Sequence, residues 1–267
     1  MASDPPAADW YSHGLNRVAY YRLASAAAAA LPRPARLRLA RGLGRLLARA
    51  LPAERRAVRG NLGRVLAGAS PALIEARVSE TFANFGAFFA DLLTLNRRPG
   101  ADLRAYVASA AGEHHLDAAI ASGRGVVLLT AHLGNWEFAG RLLSSRGGRT
   151  AHVVLSAEQD AALERYLRLD GPQLRFVTRH RATSTLGLLA ALRRAELVAM
   201  QADRPAFCAM APGGRYRLEI DPPIWVKPGE EQAGLITVVA ALERVIRAHP
   251  TQWFNFFDAW SPPSGHP

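Results

Sequence analysis

The sequence is short of several things, and each shortage excludes something. It has one cysteine, Cys208, in 267 residues. That rules out an internal disulfide framework and any cysteine-based zinc site. It has one lysine, Lys227, so its basic character is carried by arginine. No apolar run approaches the roughly 20 residues a spanning helix needs. The stretch from Leu23 to Leu31 is mostly alanine, comes after Arg17 and Arg22, and stops at Pro32. It is too short to span a bilayer and too poor in large apolar residues to resemble a signal-peptide core. A G-x-S-x-G elbow and an H-E-x-x-H pair are also missing, which argues against a serine hydrolase and a zinc hydrolase.

The chain is not short of apolar residues or of positive charge. It is 49% hydrophobic and 21% charged, a composition that folds rather than remaining disordered. The length allows one large domain or two small ones. The formal charge is +11, which predicts an anionic partner. The charge is uneven. Residues 1–68 carry 12 arginines against Asp4, Asp9 and Glu54, a net +9, and the other 199 residues carry +2. The chain thus reads as a basic helical arm (1–68), a nearly neutral domain (69–260) and a frayed tail (261–267).

Within the arm, Leu37, Leu39, Leu43, Leu46, Leu47 and Leu51 form a stripe flanked by Arg36, Arg38, Arg41, Arg45 and Arg49. Such a helix either lies on an anionic membrane or packs on the domain by its leucine face.

Helices are expected over 10–30, 34–51 and 53–66. Another starts at the Ser70–Pro71 cap and runs to about Leu95, with Phe82, Phe85, Phe88 and Phe89 in the core. Residues 113–122 predict a further helix. Val126 to Thr130, bounded by glycine, reads as a buried parallel strand. Strands at 152–155, 175–178 and 197–201 then alternate with helices at 135–145, 161–169 and 184–194. A later strand at 216–220 and a helix at 231–248 complete the pattern. This alternation predicts an α/β fold with a mostly parallel central sheet flanked by helices.

The chemistry-bearing segment is Thr130-Ala-His132-Leu-Gly-Asn135-Trp-Glu137, directly after the first strand. The carboxyl edge of a parallel sheet is where such folds place ligands. His132 and Glu137 are five residues apart, about 140° around an ideal helix, so they do not share a helical face. The spacing works if His132 lies in the turn and Glu137 in the first helical turn. The carboxylate then orients the imidazole as a general base for an alcohol. Gly134 permits close approach of a substrate to the backbone. His114, His115, His152, His180 and His249 have no evident partners in the sequence. Trp253, Phe254, Phe256, Phe257 and Trp260 are either core or a face that lines a membrane or acyl chain. Cys208 reads as a small buried hydrophobe.

The run from Gly125 to Gly140 resembles the H-x4-E block of the bacterial lipid A biosynthesis (lauroyl/myristoyl) acyltransferase family. Arg59-Gly-Asn61-Leu62 is similar to its R-x-N-L element, and Asp203-Arg204 to its D-Q or D-R block. The late strand from Gly214 to Pro223 and the His249 to Phe257 segment are similar to its C-terminal blocks.

The resemblance implies transfer of a fatty acyl group from an acyl thioester to a hydroxyl of a membrane glycolipid such as a lipid A precursor. His132 and Glu137 would be catalytic, and Gly134, Asn135, Asp203 and Arg204 substrate-binding. No metal or cofactor is implied beyond acyl carrier protein or coenzyme A as carrier of the co-substrate. The implied partners are an anionic membrane surface, the carrier and a lipid acceptor, at the cytoplasmic face of the bacterial inner membrane.

The family has several dozen residues between Asp203-Arg204 and Gly214. Here Pro205–Gly213 stands in their place, which reads as a short connector and the loss of at least one core strand. The alternative function is therefore a catalytically silent, shortened homologue that binds lipid or a partner. A nucleic-acid-binding protein is the remaining class, and no recognition signature supports it.

Overall fold

A computed structural model describes residues 18–95, 102–135, 138–140, 142, 148–155, 174–178, 182–201 and 206–260. Four helices open the chain: α1 (Val18–Ala29), α2 (Arg33–Ala50), α3 (Pro52–Val65) and α4 (Pro71–Leu95). The Ser70–Pro71 start of α4 is as expected, with the Leu73 amide donating to the Ser70 hydroxyl at 3.3 Å. A short 3-10 turn (Leu103–Tyr106) leads into β1 (Val107–Ala111) and α5 (Glu113–Ala121). Then come β2 (Val126–Gly134), β3 (Ala151–Leu155), β4 (Leu174–Thr178), α6 (Ala182–Arg193), β5 (Leu197–Gln201), β6 (Ala206–Met210), β7 (Tyr216–Ile220) and α7 (Glu231–Ala248). The helix expected over 161–169 lies outside the described residues.

The strands form one seven-stranded sheet in the order β1-β7-β6-β2-β5-β3-β4, so β2 is central. Every pairing is parallel except β6 with β7. The fold is thus α/β and mostly parallel, as the alternation of elements implied.

The stretch expected as a connector, 205–213, contains a strand instead. Ala206–Met210 is a strand seated between β2 and β7, and the Ala211 amide bonds the Arg215 carbonyl at 2.7 Å to close the β6–β7 hairpin. An alanine-rich run has weak strand propensity alone, and pairing on both sides decides its conformation. A parallel strand pair normally needs a crossover of a dozen or more residues. Here four suffice, because β5 ends and β6 begins opposite the same residue. Thr130 registers with Gln201 on one side and with Ala206 on the other.

The four N-terminal helices are part of this body. Ala48, Val58, Leu62, Ile74, Val78, Phe82, Phe88 and Leu92 share one core with Phe254 and Phe256. Phe85 and Phe89 pack against that cluster. The way α2 docks differs from the leucine-face expectation. Its buried residues are Arg36, Leu37, Gly44 and Ala48, while Leu39, Leu43, Leu46 and Leu47 are 41–56% exposed. Glycines explain the choice. A Cβ on Gly44 would strike the Phe82 carbonyl, and one on Gly86 would strike the Ala40 carbonyl. The two backbones approach too closely for leucines to stand between them, so Leu39, Leu43, Leu46 and Leu47 are turned outward while Leu37 is buried. The C-terminal aromatics divide: Trp253, Phe254 and Phe256 are buried, whereas Phe257 and Trp260 are exposed.

Candidate active site

His132 belongs to β2 itself rather than to a turn after it, because the strand continues to Gly134. The last part of β2 is irregular. From Thr130 to Gly134, four steps of β2 are matched by two steps of β6, Ala206 to Cys208. His132 thus sits in a bulge at the C-terminal end of the central strand. Bulges re-aim side chains and are common beside active sites. Gly134 closes the strand with φ +61°, a left-handed conformation that glycine adopts without steric cost. Leu133 is fully buried and bridges to Trp253, which ties the C-terminal segment to the same strand end.

Asn135 caps the helical segment at 138–140. Its Oδ1 accepts the Phe138 amide at 2.9 Å, and its backbone carbonyl accepts the Ala139 amide at 3.1 Å. This is N-cap geometry. The Asn135 Nδ2 donates to the Tyr216 hydroxyl at 3.1 Å, and that hydroxyl donates to the Asp91 Oδ2 at 2.9 Å. Asp91 is completely buried on α4. It also receives Arg33 through Nε at 3.1 Å and Nη2 at 2.6 Å, and Arg36 through Nη2 at 3.4 Å. Arg33 stacks over the Tyr106 ring at 4.7 Å and donates to the Gly214 carbonyl. Burial penalises the Arg33 cation, but the hydrogen bond and charge of Asp91 outweigh it and raise its pKa.

Gly134 and Asn135 lie at the end of β2, where the sequence put them. His132 is placed by its position in that strand, and its side chain lies outside the described residues. Glu137, Asp203 and Arg204 also lie outside them. The two residues that bracket 202–205 both register with Thr130, two positions before His132. Sequence reasoning missed Asp91 and Tyr216. An aspartate in the apolar, aromatic half of α4 was the available signal, and it named no partner.

It also missed His152, whose Nε2 lies 2.7 Å from Glu196. Hydrogen bonds from Arg194 and then His152 hold the Glu196 carboxyl down at about 2. That pair sits beside the start of β5, away from the H-x4-E strand end, because Ala151 registers with Leu197. Among the described residues no group of three His, Cys, Asp or Glu could hold a metal ion.

Residues 18–204 match the model of the bacterial lipid A biosynthesis acyltransferase family, and the chain belongs to that family. It is also similar to the phosphatidylinositol mannoside acyltransferases of two Mycobacterium tuberculosis strains, CDC 1551 / Oshkosh and ATCC 25618 / H37Rv. Identity to each is 31% over 113 residues, covering 41% of this chain and 35% of the relative. The chain therefore spans about a third of the length of the curated relatives it matches. The family match ends at Arg204.

Proposed function

We propose that this protein transfers a fatty acyl group from an acyl thioester, carried by acyl carrier protein or coenzyme A, to a hydroxyl of a glycolipid. The observation that carries the reading is the position of His132 in a bulge at the end of the central strand, inside the region matched to the acyltransferase family. His132 takes the proton of the acceptor hydroxyl, with Glu137 holding the ring. The oxygen adds to the thioester carbonyl, the carbon–sulfur bond breaks, and the imidazolium returns its proton to the leaving thiolate. No covalent acyl-enzyme is needed. Gly134 lets the substrate approach the backbone, Asn135 holds the turn, and Arg204, oriented by Asp203, meets an anionic group of donor or acceptor.

The exposed stripe Leu39, Leu43, Leu46 and Leu47, beside exposed Arg38, Arg45 and Arg49, supports an anionic membrane surface as partner, at the cytoplasmic face of the bacterial inner membrane. Among the described residues no helix is long and apolar enough to cross a membrane.

The test is transfer of labelled palmitate from palmitoyl-coenzyme A into a bacterial polar-lipid extract. The intact protein should form acylated glycolipid, and His132→Ala should lower the rate by roughly 100-fold or more with an unchanged melting curve. Undiminished transfer by His132→Ala would overturn the general-base role. A catalytically silent lipid-binding homologue is the second reading, favoured by the end of the family match at Arg204. Vesicle binding by the intact protein without any thioester turnover is the outcome that would establish it.

A further inference from the structure

We propose that Asp91 and Tyr216, which lie far from His132 in sequence, are positioning residues for the His132–Glu137 pair, acting through the orientation of Asn135. The inference rests on the acyltransferase reading above. Its basis is the direction of the hydrogen bonds. The Asp91 carboxylate is held by two guanidinium groups and only accepts. The Tyr216 hydroxyl must therefore direct its single proton to Asp91. That leaves the Tyr216 oxygen as an acceptor, so the Asn135 amide presents Nδ2 to it and Oδ1 to the Phe138 amide. A reversed carboxamide would face the tyrosine oxygen with its own oxygen and the helix N–H with its NH2, losing both bonds.

The whole line is buried. Asp91 is 0%, Tyr216 1% and Asn135 1% exposed, so water is not available to replace a lost member. It also joins four elements, running from α2 and α4 through β7 to the end of β2. Asn135 stands three residues after His132 and two before Glu137. Asn135 lies between the two in the chain, so its orientation bears on how the proposed pair is placed. Reactive geometry tolerates little such displacement. The arginine arm thereby has a second use beside surface charge: Arg33 and Arg36 hold the carboxylate that sets the direction of the line.

The experiment compares Tyr216→Phe with the intact protein, using palmitoyl-coenzyme A turnover in anionic vesicles and the NMR titration of the His132 ring. Tyr216→Phe keeps the ring, which stacks on Phe138 at 4.8 Å, and removes only the relay atom. The expected result is a fall in kcat of about 10-fold or more, with KM for palmitoyl-coenzyme A within twofold. The acidic limb of the pH profile and the His132 titration should both move to lower pH, as a ring less well held by its carboxylate requires. Glu196→Gln, a destabilising change beside the start of β5 and away from this strand end, should move neither.

Unchanged kcat and an unchanged His132 titration in Tyr216→Phe would overturn the proposal, as would equal changes in Glu196→Gln. If Tyr216→Phe does not fold, Asn135→Ser keeps a capping oxygen but cannot reach Tyr216, and carries the same expectations. If the intact protein turns over no thioester, the acyltransferase reading fails by itself, and the His132 titration still decides whether the line positions that ring.

Discussion

The Asn61 side chain donates to the Phe257 carbonyl at 2.8 Å, joining α3 to a segment almost two hundred residues away. The same amide group also donates to the Asn255 carbonyl at 3.1 Å, and its Oδ1 accepts the Ala259 amide at 3.2 Å. Asn61 is 2% exposed, and its three bonds hold backbone groups of the 255–259 segment against α3. Asn61→Ala should cost about 2–3 kcal/mol, seen as a lower denaturant midpoint. Hydrogen exchange should quicken first at 255–259.

The α2–α4 contact makes opposite predictions for two glycines two residues apart. At Gly44 an added methyl meets the Phe82 backbone, which cannot move without separating the helices. Gly44→Ala should destabilise by about 1–3 kcal/mol. Nothing stands within 4 Å of a Cβ on Gly42. Gly42→Ala should stabilise by up to about 1 kcal/mol through helix propensity. Thermal melts of the two variants should move in opposite directions.

Two carboxylates set an acid-sensitive window. Hydrogen bonds from Arg59 and then Arg55 hold Glu75 down at about 2, and those from Arg194 and His152 do the same for Glu196. Both groups protonate at about 4.5 when unfolded. Below that pH the unfolded chain binds more protons than the folded one, so stability is present above pH 4.5 and is lost as pH falls towards 2. Denaturant midpoints at pH 7, 5, 4 and 3 should fall most between the last two steps. Glu75→Gln with Glu196→Gln should flatten that fall while lowering the midpoint at pH 7. The partners are partly exposed, so high salt should also reduce the effect.

The outward leucines of α2 predict a separation between stability and surface binding. Leu43 and Leu46 are 51% and 56% exposed, so Leu43→Ser with Leu46→Ser should leave the melting temperature almost unchanged. Sedimentation with phosphatidylglycerol vesicles should fall by about 10-fold or more, as expected for losing two inserted side chains. Arg38→Gln with Arg45→Gln should weaken the same binding mainly at low salt. Wild-type sedimentation by the leucine variant would refute α2 as the docking face.

Most helices and strands were legible because their periods are local. The α4 start at Ser70–Pro71, the strands at 197–201 and 216–220 and the helix at 231–248 come from caps, alternation and apolar stripes. The strand end carrying His132 was legible for the same reason, although β2 runs four residues further than its apolar core suggests. Ala206–Met210 was not legible, because it becomes a strand through partners on β2 and β7. Asn135 was named from the sequence as a candidate at the strand end, but its use as a helix cap and its bond to Tyr216 were not legible. That bond depends on Tyr216, 81 positions away.

The sequence by itself determined the α/β alternation, the arginine-rich start and the H-x4-E segment, since each is written in neighbouring residues. Only the tertiary structure decided which face of α2 is buried. Helix stripes tell which residues share a side, but the closest approach of two backbones goes to the smallest residues. Gly44 and Gly86 took the contact and left the leucines outside. The tertiary structure also brought Asp91 under Tyr216. A buried carboxylate needs donors from wherever the fold can supply them, and here they came from α2 and β7.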